Sequence, residues 1–550
     1  MAIEAAPRVR ADELTAGEWF EKGYLATGPA EKVRCYTEAI RLKPDFAEAY
    51  FNRGVARRQQ RDLEEALADY AQAIHLKPDD PDAYINRGLV RAERGDLDGA
   101  VMDYGLAARL KPDYADAYNN RGNARAEQGD LDGAIEDYSE AVRLEPDFAE
   151  AFNNRGNVRA DRGEIEDAMA DYAEAIRLKP VYAEAFNNRG NVRADRGDLD
   201  GALADYAEAI RLKPDYAEAF NNRGNVRADR GEIEGAMADY AEAIRLKPDY
   251  AEAFNNRGNV RADQGHVDGA MADYAEAIRL EPDLAEAYTN RGVSRAEQGD
   301  TDGAIEDYTE AIRLNPDYAP AYASRGNART DQGDLDGAMA DYDKAIRLKP
   351  DYVQAYTDRG FARAIQGDTE GAMADYTEAI RLKPDYAAAY NNRGNARANQ
   401  GDFAGAIADY AEALRLKPDY ANAYMNRGVA RTAASDVAGA LADYAEAIRL
   451  NPRHAAAHSN RGNARAAAGD LDGALADYTE AIRLKPDAPD VYYNRGQILE
   501  ERGDREAAAA DFERYLELGG GQRDGDQSVV EARIHRLREP VVSATIDPAL

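Results

Sequence analysis

The sequence predicts an all-α solenoid of tandem helix pairs. Three observations carry that expectation. Fourteen prolines, from Pro44 through Pro214 and Pro248 to Pro486, stand 34 residues apart without a slip. Each interval holds two stretches of helical apolar spacing on either side of a glycine-centred break. At 550 residues the chain is also too long for one compact core, because such cores stop growing at about 250–300 residues. A period of this length marks stacked units, none of which buries its apolar face alone.

Taken in order, residues 1–12 read as a tail, 13–46 as a shorter first unit and 47–518 as fourteen units of 34 residues. One unit runs from Ala183 to Tyr216, and its positions are numbered 1 to 34. Helix A is expected to reach about Asp195. Asp215 precedes Glu218 by three residues, a spacing that predicts a capping box at the start of the next helix A. Gly197 supplies the left-handed residue that ends helix A, and Asp198 caps helix B. Helix B covers Leu199–Leu212, with Ala202, Tyr206 and Ala209 at helical spacing, and Pro214 stops it. Residues 519–526, GGGQRDGD, read as a flexible linker. Residues 527–540 read as one amphipathic helix with Val529, Val530, Ile534 and Leu537 on a common side, either capping the last unit or docking another protein. The final stretch, 541–550, is expected to fray.

The unit resembles the tetratricopeptide repeat. That family's signature places an aromatic at position 4, Gly at 8, Ala at 20, an aromatic at 24, Ala at 27 and Pro at 32; here these are Phe186, Gly190, Ala202, Tyr206, Ala209 and Pro214. In the first unit Trp19, Gly23, Tyr36, Ala39 and Pro44 match, with three residues lost around Gly28-Pro29. The resemblance therefore covers about fifteen repeats and implies a right-handed superhelical solenoid whose A helices line a concave surface.

Position 7 is Arg in all fourteen full units and position 11 is Arg in thirteen, Leu499 being the exception. The family more usually has Leu and Tyr there. A buried cation is costly without a partner, and position 23 is Asp in every full unit, as at Asp205 and Asp239. The expectation is an internal ladder of ion pairs with cation–π contact to nearby rings; arginines facing solvent as an anion site are the alternative.

With the arginines inside, positions 2, 5, 6, 9 and 13 of helix A are left for the opposite face. Position 6 is Asn in twelve of fourteen full units, and Asn recurs at positions 5 and 9. An amide offers a donor and an acceptor, which suits peptide main chain of any sequence. This resembles the asparagine ladders with which some family members hold extended peptide, here with no catalytic domain beside it. The expected partner-binding residues are Asn120, Asn123, Asn154, Asn157, Asn188, Asn191, Asn222, Asn225, Asn256 and Asn259; the competing reading has these amides fixing repeat stacking. The basic residues of the family's carboxylate clamp are missing at positions 2, 5 and 6, where Glu150, Glu184, Glu218 and Glu252 and the asparagines stand instead. Asp161, Asp195, Asp229 and Asp263 at position 13 extend the acidic rim, so a neutral or basic ligand is expected. Units nine to eleven depart most, through Pro320, Ser324, Asp358, Phe361 and Ile365, and suggest a more apolar patch.

A net charge of −33 argues against nucleic acid and anionic membrane surfaces. No stretch has the roughly 18 apolar residues of a membrane span. Cys35 is the only cysteine, which suits a reducing compartment, and the start has no apolar signal-peptide core, so a cytoplasmic protein is expected. The five histidines lack metal-ligand spacing; GDLDGA lacks the full calcium-loop pattern and reads as helix capping; the glycines at 519–521 lack a phosphate loop's Lys-Ser/Thr. The expectation is a non-catalytic scaffold without cofactors that binds a protein or peptide partner. A self-assembling solenoid and a subunit gripping a globular enzyme are the rivals.

Overall fold

The computed structural model describes residues 14–539. The expected tails, 1–12 and 541–550, lie outside the described residues, as do positions 13 and 540. The chain divides into two compact units, one ending at Leu280 and the other beginning at Glu281. Among the described residues the first holds eight helix pairs, from Ala16–Leu25 with Pro29–Leu42 to Ala251–Asp263 with Val267–Leu280. The second holds seven, from Ala285–Glu297 with Thr301–Leu314 to Pro489–Glu501 with Arg505–Glu517, followed by Gly520–Asp524 and Gln527–Arg538.

Within a pair, Gly190 and Tyr206 set how closely the helices approach. A Cβ on Gly190 would stand 2.7 Å from Tyr206 Cε1, so only glycine admits the ring. Tyr206 is 2% exposed and packs with Ala202 against Val226 of the next helix A, which carries the core from one repeat into the next. A second layer joins Ala217, Ala243, Tyr250 and Ala253. Small residues at positions 3, 20 and 27 let the helices close up, and large rings fill the remainder.

The helix boundaries follow from local chemistry. Gly197, at φ +79°, ends helix A, and Asp198 accepts from Gly201 N–H at 3.0 Å. GDLDGA is thus a helix junction. The expected capping box at Asp215 is not formed. Tyr216 occupies the N-cap, one residue later than the box needs, and no side chain caps that helix. Glu218 instead accepts from Lys247 Nζ at 3.2 Å. A capping box does close the first helix, where Glu18 N–H donates to Thr15 Oγ1 (3.3 Å) and Thr15 N–H to Glu18 Oε2 (2.7 Å). The first repeat keeps a three-residue turn, Ala26-Thr27-Gly28, so its missing residues come from the last turn of helix A rather than from the connection.

The expected flexible linker is also corrected. Gly519, at φ +81°, opens a short helix whose Gly520 and Gly521 are buried against Tyr515 and Leu516, leaving no room for a Cβ. The helix after it closes the second unit. Val530 and Leu537 are buried with Phe512 and Tyr515, while Arg505 donates to the terminal carbonyls of Leu537 and Glu539 at 3.0 Å each. Those contacts make it a cap and satisfy carbonyls that the helix itself leaves free.

Candidate functional site: the amide face of the A helices

The arginines point inward. Arg223 donates through Nε to Asp239 Oδ2 (2.9 Å) and through Nη2 to Oδ1 (2.6 Å), and Arg227 Nη1 adds a third bond to Oδ2 (2.7 Å). Asp239 is 3% exposed. Each of the fourteen full repeats makes the position 7 pair, from Arg53–Asp69 to Arg495–Asp511. The guanidinium also sits over the ring at position 4, as Arg223 does over Phe220 at 5.4 Å. A carboxylate held by two cations inside the helix pair leaves no anion site there.

With Arg and Asp satisfied inside, the amides occupy the other side of helix A, where successive A helices touch. Asn188 Nδ2 donates back to the preceding repeat, to Asn153 Oδ1 at 3.2 Å and Asn157 Oδ1 at 3.1 Å. Asn157 Oδ1 also accepts from Tyr172 O–H at 2.9 Å. Asn154 repeats this toward Asn119 and Asn123, and Asn222 toward Asn187 and Asn191. Asn256 donates to Asn221, while Asn225 and Asn259 accept from Tyr240 and Tyr274. Burial, reinforced by Asp195 and Asp205, raises the Tyr206 phenol far above its ordinary range, so it remains a donor to Asn191 at every physiological pH.

The predicted residues from Asn123 to Asn222, with Asn256, are thus linked from repeat to repeat, Asn225 and Asn259 are held by their tyrosines, and one residue stands apart. Asn120 makes no side-chain hydrogen bond to the described residues, because Ile85 and Leu89 stand where its acceptors would be. At Asn52 and Asn86 the same lack turns the amide onto its own helix, toward Glu48 and Asp82 carbonyls. The sequence reading put the position 5 asparagines on the open face, where the structure buries them, and it missed the position 24 hydroxyls as partners. The buried position 5 asparagines and the position 24 hydroxyls complete the network, and only the stacking of repeats brings them within reach. The arginine at position 7 reaches position 25 of the preceding repeat wherever a hydroxyl or carboxylate stands there, as Arg155 does to Ser139 (3.1 Å) and Arg359 to Asp343 (2.6 Å).

Two features remain open toward solvent. The Nδ2 groups of Asn123, Asn157, Asn191 and Asn225 make no hydrogen bond to the described residues, although their Oδ1 atoms are engaged. Asp161, Asp195, Asp229 and Asp263 are exposed and form no ion pair with the described residues. The other half of the expected acidic rim is weaker: Glu150, Glu184 and Glu218 are each paired with a lysine of their own repeat.

Known proteins give the same architecture. The family model described as "TPR repeat" matches residues 56–299 in seven overlapping stretches, 326–434 in three, and 462–503. Models described as "Tetratricopeptide repeat" match 35–68, 285–318 and 489–518. No curated protein matches the chain. Among solved structures, the APC/C hetero-tetramer Cut9-Hcn1 contains a chain 14% identical, at TM-score 0.51, over 86% of this chain and 97% of that one, a likeness of fold. YrrB, described as a TPR protein with an unusual peptide-binding site, is 26% identical over 34% of this chain and 96% of its own, at TM-score 0.28. A tetratricopeptide repeat protein from Parabacteroides merdae ATCC 43184 is 20% identical over 45% of this chain and 98% of its own, at TM-score 0.39. On the strength of repeat models that cover most of its length, the chain belongs to the tetratricopeptide repeat family.

Proposed function

We propose that this protein, an interaction scaffold by its family, holds an extended, neutral or basic segment of a partner protein along the amide face of its A helices, in the cytoplasm. The observation that carries the reading is the row of position 9 amides. At Asn123, Asn157 and Asn191, in three consecutive repeats, the oxygen is fixed by a tyrosine and a neighbouring asparagine, which aims an unused NH2 group outward. A donor held in this way needs no reorientation to meet a peptide carbonyl. The unpaired position 13 aspartates alongside favour cationic side chains on the same segment.

The test removes the free donors and leaves the fold. Position 9 is already apolar at Val55, Leu89 and Val293, so the architecture accepts valine there. Wild type and an Asn157→Val, Asn191→Val, Asn225→Val variant are used to capture partners from host lysate, with helicity and melting compared. Loss of a captured partner by the folded variant is the expected result. Equal capture by both forms refutes the amide face and moves the contact to the B-helix side.

A further inference from the structure

One A helix carries large apolar side chains at both position 9 and position 13 of the amide face. In Val353–Gln366, position 9 is Phe361 and position 13 is Ile365, and each is 52% exposed. With Tyr376 of the same helix pair and Asn392, Asn395 and Asn399 of the next A helix, they line an open cavity of ≈ 280 Å³. Two large apolar side chains one helical turn apart are thus exposed together, whereas Val293 and Val429, exposed at position 9 of other full repeats, stand singly.

The same substitution releases two hydrogen-bond donors. On either side, Tyr342 O–H donates to Asn327 and Tyr410 O–H to Asn395, both at 2.7 Å. Phe361 offers Tyr376 no acceptor, and that hydroxyl makes no hydrogen bond to the described residues. Asn392 loses its partners in parallel. Its counterparts donate to positions 5 and 9 of the preceding helix, which here are Thr357, turned toward Val353 O at 3.1 Å, and Phe361, and neither accepts from Asn392. Asn392 Oδ1 accepts from Asn391 at 3.2 Å, and its NH2 is left without a protein acceptor. The apolar wall is therefore edged by a free O–H and a free NH2.

Charge narrows the occupant. Positions 2, 5, 6, 9 and 13 of the helices 319–332, 353–366 and 387–399 carry no lysine or arginine, and they include Asp331 and Asp358. Asp358 accepts from Gln354 Nε2 at 2.8 Å through Oδ1, but its Oδ2 is buried without a hydrogen-bond partner and it forms no ion pair with the described residues. A cation on the ligand would compensate its charge.

We infer that Phe361, Ile365, Tyr376 and Asn392 form a subsite for one large apolar side chain of an extended, lysine- or arginine-bearing segment of a partner protein. The side chain rests on Phe361 and Ile365, an adjacent main-chain carbonyl accepts from Tyr376 and Asn392, and flanking cations face Asp331 and Asp358. The inference rests on the amide-face reading above and adds to it a residue preference at one place.

The probe is a blocked nonapeptide of alternating lysine and alanine with a central leucine, beside relatives with central alanine or glutamate. Binding to the full chain is read by fluorescence anisotropy, and a photoreactive leucine at the centre maps the contact by mass spectrometry. The leucine peptide is expected to bind roughly tenfold or more tighter than the alanine peptide, and to crosslink within 353–399. Phe361→Asn restores the residue of neighbouring repeats and the acceptor for Tyr376, so it should fold as well as the wild type while abolishing the preference. No leucine preference, or a preference untouched by Phe361→Asn, overturns the subsite. Crosslinks elsewhere on the A helices overturn the subsite and retain the amide face. Crosslinks confined to the B helices, or no binding at millimolar peptide, overturn both.

Discussion

The two arginines that share each buried aspartate are not equivalent, and the structure ranks them. Arg223 bonds both oxygens of Asp239, whereas Arg227 bonds one oxygen that Arg223 already holds. Arg223→Leu therefore leaves Oδ1 buried without a donor. Breaking a buried pair from one side costs about 3–5 kcal/mol, and loss of the contact with the Phe220 ring adds about 0.5–1 kcal/mol. Arg227→Leu leaves both oxygens bonded. It removes one hydrogen bond to a charged group, about 1.5–3 kcal/mol, and part of that is offset because the arginine is already 29% exposed and leucine packs better. The chain contains its own control: in the last repeat position 11 is Leu499, and Asp511 is held by Arg495 alone at 2.8 and 2.7 Å.

The expected order is Asp239→Ala and Arg223→Leu costing most, with Arg227→Leu well below. A triple replacement of Arg223, Arg227 and Asp239 by leucine should regain much of the loss, because no charge remains to be stranded. Long repeat arrays do not unfold as one unit, so the assay is native-state hydrogen exchange of amides in 217–246, read as local opening free energies. Equal costs for the two arginines would refute the geometric argument. So would a triple variant as unstable as Asp239→Ala, since the penalty would then belong to lost packing rather than to stranded charge.

Two further expectations follow from single departures from the repeat. Arg61 and Ser435, both at φ +63°, occupy the left-handed position that is glycine in the other full repeats, so Arg61→Gly and Ser435→Gly should each slow local exchange in the adjoining helices by about 1 kcal/mol; faster exchange would show the strain to be absent. Burial raises the Asp358 carboxyl to about 6, so between about pH 4 and 6 the folded chain keeps a proton that the unfolded chain releases, and stability falls as pH rises through that window. Asp358→Asn should therefore stabilise the second unit at pH 7.5, by at most about 3 kcal/mol, and by almost nothing at pH 4; an equal gain at both pH values would remove titration as the cause.

How much of this was legible in the sequence depends on the range over which each feature is decided. The Gly190–Tyr206 contact and the Arg223–Asp239 pair lie within one helical hairpin, at separations of 16 residues, and the period alone brings them together. The start of helix A was misplaced because Asp215 and Glu218 have the spacing of a box, yet the backbone turns at Tyr216, whose ring lies under Lys213 at 4.5 Å. The glycines at 519–521 suggest flexibility by composition, but Tyr515 and Leu516 need residues without side chains to pack against. The direction of the amide bonds was least accessible. Asn188 finds its partners 31 and 35 residues back, a distance fixed by how one repeat stacks on another and not by any pattern inside the unit.

That dependence on the preceding repeat ties stacking and recognition to the same residues. An asparagine at position 6 bonds across to the preceding repeat where position 5 or 9 of the helix before it offers an acceptor, as Asn154, Asn188 and Asn222 do, and those repeats leave the same surface. On the proposed reading, identical donors would grip main chain without fixing which ligand residue meets which repeat. In the second unit the helix 353–366 breaks the rule, and the break changes both properties at once: Asn392 and Tyr376 lose their internal partners, and two apolar side chains come to the surface between the amides of Asn327 and Asn395. Unpaired donors on a rigid scaffold cost stability in the free protein and regain it when a ligand supplies the acceptor. On the proposed reading, a repeat that departs from its neighbours in this way would set the register of a segment that the uniform repeats hold without preference. Phe361→Asn separates the two contributions, since it should raise the stability of the free chain and remove its ability to tell leucine from alanine.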